Sequence, residues 1–101
     1  MIQLEPIAID GKLFNGVTVS LPKTTLLTIS GDAGYIMCGA LDVHLLNSKL
    51  ADRGILAGKA EGVRTLDDLL NAPLAEVTLE AEKKGIHTGM IGREALLAMH
   101  R

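Results

Sequence analysis

Tyr35-Ile36-Met37-Cys38-Gly39-Ala40-Leu41-Asp42 divides this chain into two kinds of pattern. Before it, apolar residues alternate or run together as strand residues do. After it, they recur at the three- and four-residue spacing of a helix. Residues 35–38 form a short continuous apolar run, as expected of a strand buried on both faces, and the run passes directly into an amphipathic helix over residues 40–53. Strands first and helices after imply an α+β fold in which an N-terminal antiparallel β-meander precedes mixed helices and short strands.

Working back from the junction, Ile7 and Ile9 alternate with Ala8, and Asp10-Gly11 is a strong two-residue hairpin signal. The next strand carries Val17, Val19 and Leu21 on one face and Thr18 and Ser20 on the other. Pro22 cannot donate to a ladder and marks a strand end or edge. Residues 26–29 form a third strand, and Ser30-Gly31-Asp32-Ala33-Gly34 turns the chain back.

Working forward, Gly54 suits the left-handed position after a helix, and residues 55–61 read as a strand. Thr65 with Asp68 resembles a capping box opening a helix over 66–71. Pro73 fits the first turn of a helix running to Lys84 and stopped by Gly85, with Glu80 and Lys84 as an i,i+4 pair. Residues 86–89 read as a brief strand before a terminal helix from about Gly92. The expectation is one compact domain over residues 1–101, with 1–38 mainly β and the oligomerisation region, and 39–101 mixed.

Composition narrows the function classes. The 101 residues are 48% hydrophobic, with Phe14 and Tyr35 the sole aromatics. So apolar a chain of this size is expected to bury surface against copies of itself. The net charge of −2 and the lack of stacking aromatics argue against nucleic acid as a partner. No run approaches the ~20 apolar residues of a membrane span, so no membrane partner is expected. The N-terminus has no signal-peptide pattern, which makes the cytoplasm the expected location. One cysteine excludes an intrachain disulfide, and three scattered histidines give no metal-site signal, so neither metal nor cofactor is expected.

Projecting residues 40–53 at about 100° per residue gathers Val43, Leu46 and Leu50 into one stripe, while Leu41 and Leu45 fall nearly opposite. A helix packed only on its own sheet has no need of that second pair. Leu41 and Leu45 are therefore expected at a packing interface.

Cys38 is the candidate catalytic residue. A thiol where a strand meets a helix could be stabilised as thiolate by free N–H groups and the positive helix end. The alternative is a small buried hydrophobe. His44 points away from it, and His87 could reach it only through the tertiary fold. Gly39 would let a ligand approach the backbone. Arg64 and Arg93 precede or open helices, where a cation is unfavourable for the helix itself, so each is expected to face something negative. A small anionic ligand held by Gly39, Arg64, Thr65 and Arg93 is one reading; ion pairs with Glu61, Asp67, Asp68 or Glu94 are the other. Three functions follow in order: a binding module for a small anion near Cys38, an enzyme using Cys38 as thiol nucleophile, and a purely structural assembly protein.

Residues 34–43, Gly-Tyr-Ile-Met-Cys-Gly-Ala-Leu-Asp-Val, together with Arg53-Gly54-Ile55, Gly62-Val63-Arg64-Thr65 and Gly92-Arg93-Glu94-Ala95-Leu96, resemble the YunC-like family of bacterial and archaeal domains of unknown function. The resemblance spans essentially the whole chain. It implies an α+β fold and a homo-oligomer, a tetramer assembled through the N-terminal β region. It implies no activity.

Overall fold

The computed structural model describes residues 1–100. Strands β1 (Ile2–Ile9) and β2 (Lys12–Leu21) form a hairpin with Ile9 opposite Lys12. Its loop residues, Asp10 at φ 48° and Gly11 at φ 80°, supply the two positive angles that match a tight hairpin to the twist of its strands. Strand β3 (Thr24–Ser30) follows across Pro22-Lys23, and Lys23 takes φ 62° after the angle that Pro22 fixes. Strand β4 (Gly34–Met37) pairs antiparallel with β3.

The sheet continues through β5 (Leu56–Lys59) and β6 (Glu76–Val77), giving six strands in sequence order. Only the β4–β5 step is parallel among the described strands. A parallel step cannot be closed by a hairpin, so the chain must cross over. That crossover holds helix α1 (Val43–Ser48) and a 3-10 turn, Ala51–Arg53. Helices α2 (Leu66–Asn71), α3 (Leu79–Lys83) and α4 (Gly92–Met99) complete the α+β domain.

Helices α2 and α4 cover one face of the sheet. Phe14, Leu27, Ile29 and Ile36 point into that layer and meet Leu69, Leu96 and Met99, each at most 2% exposed. Burying each such side chain stabilises the fold by about 1.5–3 kcal/mol. Helix α4 approaches α2 closely because Gly92 has no Cβ: one would land on the Leu69 carbonyl, with Ile36 Cδ1 2.9 Å away.

The other face of the meander is also aliphatic. Strand alternation places Ile2, Leu4, Leu13, Val17, Val19, Leu21 and Leu26 there, with Leu4 opposite Val17 and Val19 opposite Leu26. Ile2, Leu4 and Leu13 are 69%, 75% and 70% exposed. The stripe of Val17, Val19 and Leu21 thus belongs to the face that α2 and α4 leave open.

Three elements differ from the sequence expectation. The helix expected over 40–53 is shorter, and strand does not pass directly into helix. Leu41 N–H donates to the Cys38 carbonyl (3.1 Å) in a turn, and the Asp42 carboxylate caps Leu45 N–H (3.0 Å), which fixes the helix start at Val43. The helix expected over 73–84 begins only at Leu79. Pro73 instead bridges to Ile91, Ala75 N–H donates to the Lys59 carbonyl, and Thr78 is the cap. Glu80 consequently pairs with Lys83 (3.0 Å), and Lys84 Nζ donates to the Met99 carbonyl (2.7 Å). Residues 86–89 are a loop, with Ile86 buried and Gly89 N–H donating to the Leu74 carbonyl.

Candidate functional site

Cys38 lies one residue beyond β4, opposite Leu27 of β3. Its N–H donates to the Leu27 carbonyl (3.0 Å), continuing the ladder by one rung. The Cys38 carbonyl, however, has turned to Leu41, so it is not available to Leu27. The thiol takes its place: Leu27 N–H donates to Sγ at 3.4 Å. Sulfur here satisfies a buried backbone donor that the departing chain would otherwise orphan. The residue is 6% exposed and packs in the core with Ala60, Leu66 and Leu70.

No histidine or carboxylate hydrogen-bonds to Sγ among the described residues. His44 is exposed on α1, and His87 Nδ1 lies 3.0 Å from the Thr88 carbonyl. A thiol without a base, held as an acceptor inside the core, has packing chemistry rather than nucleophile geometry. Gly39 beside it is exposed, and an added Cβ would meet nothing nearer than Glu61 Cγ at 3.9 Å.

Arg64 and Thr65 sit at the start of α2. The Thr65 hydroxyl accepts from Asp68 N–H (3.0 Å), while the Asp68 carboxylate accepts from Arg64 N–H (3.0 Å), one residue before the usual return bond of a capping box. Thr65 is thereby committed to its own helix. The Arg64 guanidinium is exposed, and the neighbouring cavity of about 430 Å³ is lined by Glu61, Asp67, Asp68 and Asn71. Arg93, half-buried in the first turn of α4, follows Gly92, whose N–H donates to the Ala72 carbonyl (3.0 Å). Arg64 thus precedes the first turn of α2 and Arg93 lies near its last. The six residues between rise about 9 Å. Neither arginine forms an ion pair among the described residues.

Leu41 is half-buried and Leu45 is 39% exposed. Neither lines the cavity of about 560 Å³ between α1 and α3, whose walls include Leu46, Ala51, Ile55, Thr78 and Leu79.

Two polar clusters escaped sequence reasoning. Lys59, its side chain 14% exposed, bonds Glu76 Oε1 at 2.9 Å across β5–β6, with Glu61 Oε1 at 3.7 Å. The hydrogen bond to Glu76 raises its pKa above the ordinary lysine value, with burial opposing. The second cluster surrounds His100, whose ring lies edge-on to Phe14 with centroids 5.1 Å apart. Lys12 and Lys84 border the same cavity of about 460 Å³. Partners 88, 67 and 15 residues apart leave no periodic signal. Among the described residues no cluster of histidine, cysteine and carboxylate could hold a metal, and no helix is long and apolar enough to cross a membrane.

Residues 37–99 match the family described as "Domain of unknown function (DUF1805)". The chain belongs to the DUF1805 family. It is 62% identical over 99 residues to "Uncharacterized protein YunC" of Bacillus subtilis (strain 168), covering 98% of both chains. Its fold is similar to the crystal structure of a protein of unknown function, TA1206, from Thermoplasma acidophilum, with a TM-score of 0.88 and 36% identity over 98% of this chain and 93% of that one. The YunC-like resemblance in the sequence is thus a family relationship. The DUF1805 match begins in β4, yet both relatives are also covered along the meander that precedes it.

Proposed function

We propose that this protein acts as a homo-oligomer whose subunits meet through the open aliphatic face of β1–β3. The observation that carries this reading is the exposure of Ile2, Leu4 and Leu13 on one sheet face, continuous through Val17 and Val19 with Leu26. Contiguous apolar surface of this kind on so small a domain marks an interaction site. A closed symmetric oligomer would bury the same patch on every subunit, and a tetramer with dihedral symmetry would use a second contact, for which Leu41 and Leu45 are the proposed residues. Replacing Leu4 and Leu13 together by lysine should dissociate the assembly while leaving the helix-covered core folded. A double variant with unchanged solution mass would reject this interface.

Binding of a small anion is the reading we attach to this scaffold. It rests on Arg64 and Arg93, neither of which forms an ion pair among the described residues, and on the open space beside Gly39. Thr65 enters through its place in the same turn and Cys38 through the packing that fixes it. Isothermal titration with inorganic phosphate tests the reading: binding that disappears in Arg64→Gln or Arg93→Gln supports it, and absence of heat at millimolar phosphate rejects it for this anion. Catalysis by Cys38 stands behind both, because the thiol faces the core.

A further inference from the structure

The last turn of α4 is fastened at three points, to β2, to the β3–β4 turn and to the end of α3. Lys12 Nζ donates to the His100 carbonyl (2.9 Å), Lys84 Nζ donates to the Met99 carbonyl (2.7 Å), and Ala33 N–H donates to His100 Nδ1 (3.2 Å). The first two place cations on the carbonyls that end a helix, which is favourable at any pH where lysine is charged. The third depends on the protonation of the ring.

Nδ1 can accept from Ala33 only when it carries no proton, so the neutral ring bears its proton on Nε2. That Nε2 is buried and has no hydrogen-bond partner among the described residues. The ring fills a slot between Phe14 and Gly31. A Cβ at Gly31 would overlap the ring at Nε2 and Cε1 and lie 3.0 Å from Phe14 Cδ2. We propose that the His100 ring is a pH-operated clasp: the neutral ring pins the end of α4 to the β3–β4 turn, and the protonated ring leaves its slot and opens the cavity over Phe14.

Protonation has three unfavourable consequences in the slot. Nδ1–H would oppose Ala33 N–H, donor against donor. Nε2–H would remain buried and unpartnered in a ring that is now charged, with the Gly34 carbonyl, a hydrogen-bond acceptor for the ring, opposing this in part. The charge would also join the Lys12 and Lys84 ammoniums, with Asp32 in the β3–β4 turn opposing them. Burial accordingly pushes the imidazole below its ordinary value, the Gly34 carbonyl and Asp32 pull it back up, and the two lysines push it further down. The unfolded or unclasped chain therefore binds the proton more readily. The clasp is complete above the ordinary histidine value of about 6.5 and is lost as pH falls through the lower value of the closed state.

The test is heteronuclear NMR on the full chain between pH 8 and pH 4.5. The expected result has three parts. The His100 ring is the Nε2–H tautomer at pH 8, it titrates below 6.5, and hydrogen-exchange protection of the Ala33 amide, corrected for intrinsic rate, falls by up to about tenfold per pH unit between about 6.5 and the ring's midpoint and levels off below it. In His100→Gln the amide oxygen can accept from Ala33 at every pH, and protection should become flat over this range. Gly31→Ala should expel the ring and leave Ala33 unprotected even at pH 8. A ring that titrates at or above 6.5, Ala33 protection that does not follow the ring, or a pH dependence that survives in His100→Gln would each overturn the clasp.

Discussion

Replacing Thr78 by valine should cost this fold far more than a change of one oxygen for one methyl suggests. Thr78 is 2% exposed. Its hydroxyl accepts from Ala57 N–H (3.2 Å) and Ala81 N–H (3.3 Å) and donates to the Ile55 carbonyl (2.7 Å), which uses its full capacity. Valine preserves the shape and removes all three bonds. Loss of the α3 cap costs about 1 kcal/mol, and the buried Ala57 N–H left unsatisfied costs about 1–3 kcal/mol more. The sum, roughly 3 kcal/mol, is a large part of the 5–15 kcal/mol expected for a domain. It should lower Tm on the order of 15 °C. Serine keeps the hydroxyl and loses one methyl, so Thr78→Ser should cost only about 1 kcal/mol. Urea denaturation followed by circular dichroism, at one fixed protomer concentration because assembly is linked to stability, measures both variants. A valine variant within about 1 kcal/mol of the parent, or a serine variant as damaged as the valine one, would refute the hydroxyl's role as the joint between β5 and α3.

Further outcomes follow from the same geometry. Gly92→Ala should destabilise by about 2 kcal/mol or more, since the added Cβ lands on the Leu69 carbonyl, whereas Gly39→Ala should be neutral to stability because nothing but Glu61 Cγ lies within 4 Å. A thermal-melt comparison decides both, and a neutral Gly92 variant would contradict the α2–α4 packing. Alkylation of Cys38 should require opening of the β3–β4 end of the core, so its rate should track urea-induced unfolding. Rapid labelling of the native protein would instead return the thiol to the surface and revive the nucleophile reading.

What the sequence made legible was local. Asp10-Gly11 carries its hairpin signal in two adjacent residues, Gly54 and Gly85 take the left-handed angles that end their segments, and Thr65 with Asp68 caps α2 across three positions. The change of period after Cys38 gave the α+β class. Thr78 misled because a threonine five residues after Pro73 reads as helix interior. Its partners, Ala57 and Ile55, are more than 20 residues away, and they fix it as the start of α3. Cys38 carried two readings because a lone cysteine looks the same as nucleophile or as filler. Its bond from Leu27, 11 residues earlier, is a tertiary fact. His100 had no signal at all, because its slot is made by Phe14, Gly31 and Ala33 from the opposite end of the chain.

The central claim is that the open aliphatic face of the meander is covered by other copies of this chain. Sedimentation equilibrium at micromolar protein tests it most directly. The expected mass is an integral multiple of the 10.7 kDa protomer, four for a tetramer, returning toward the protomer in the Leu4→Lys, Leu13→Lys variant. A parent protein that sediments as a 10.7 kDa monomer throughout that range would contradict it.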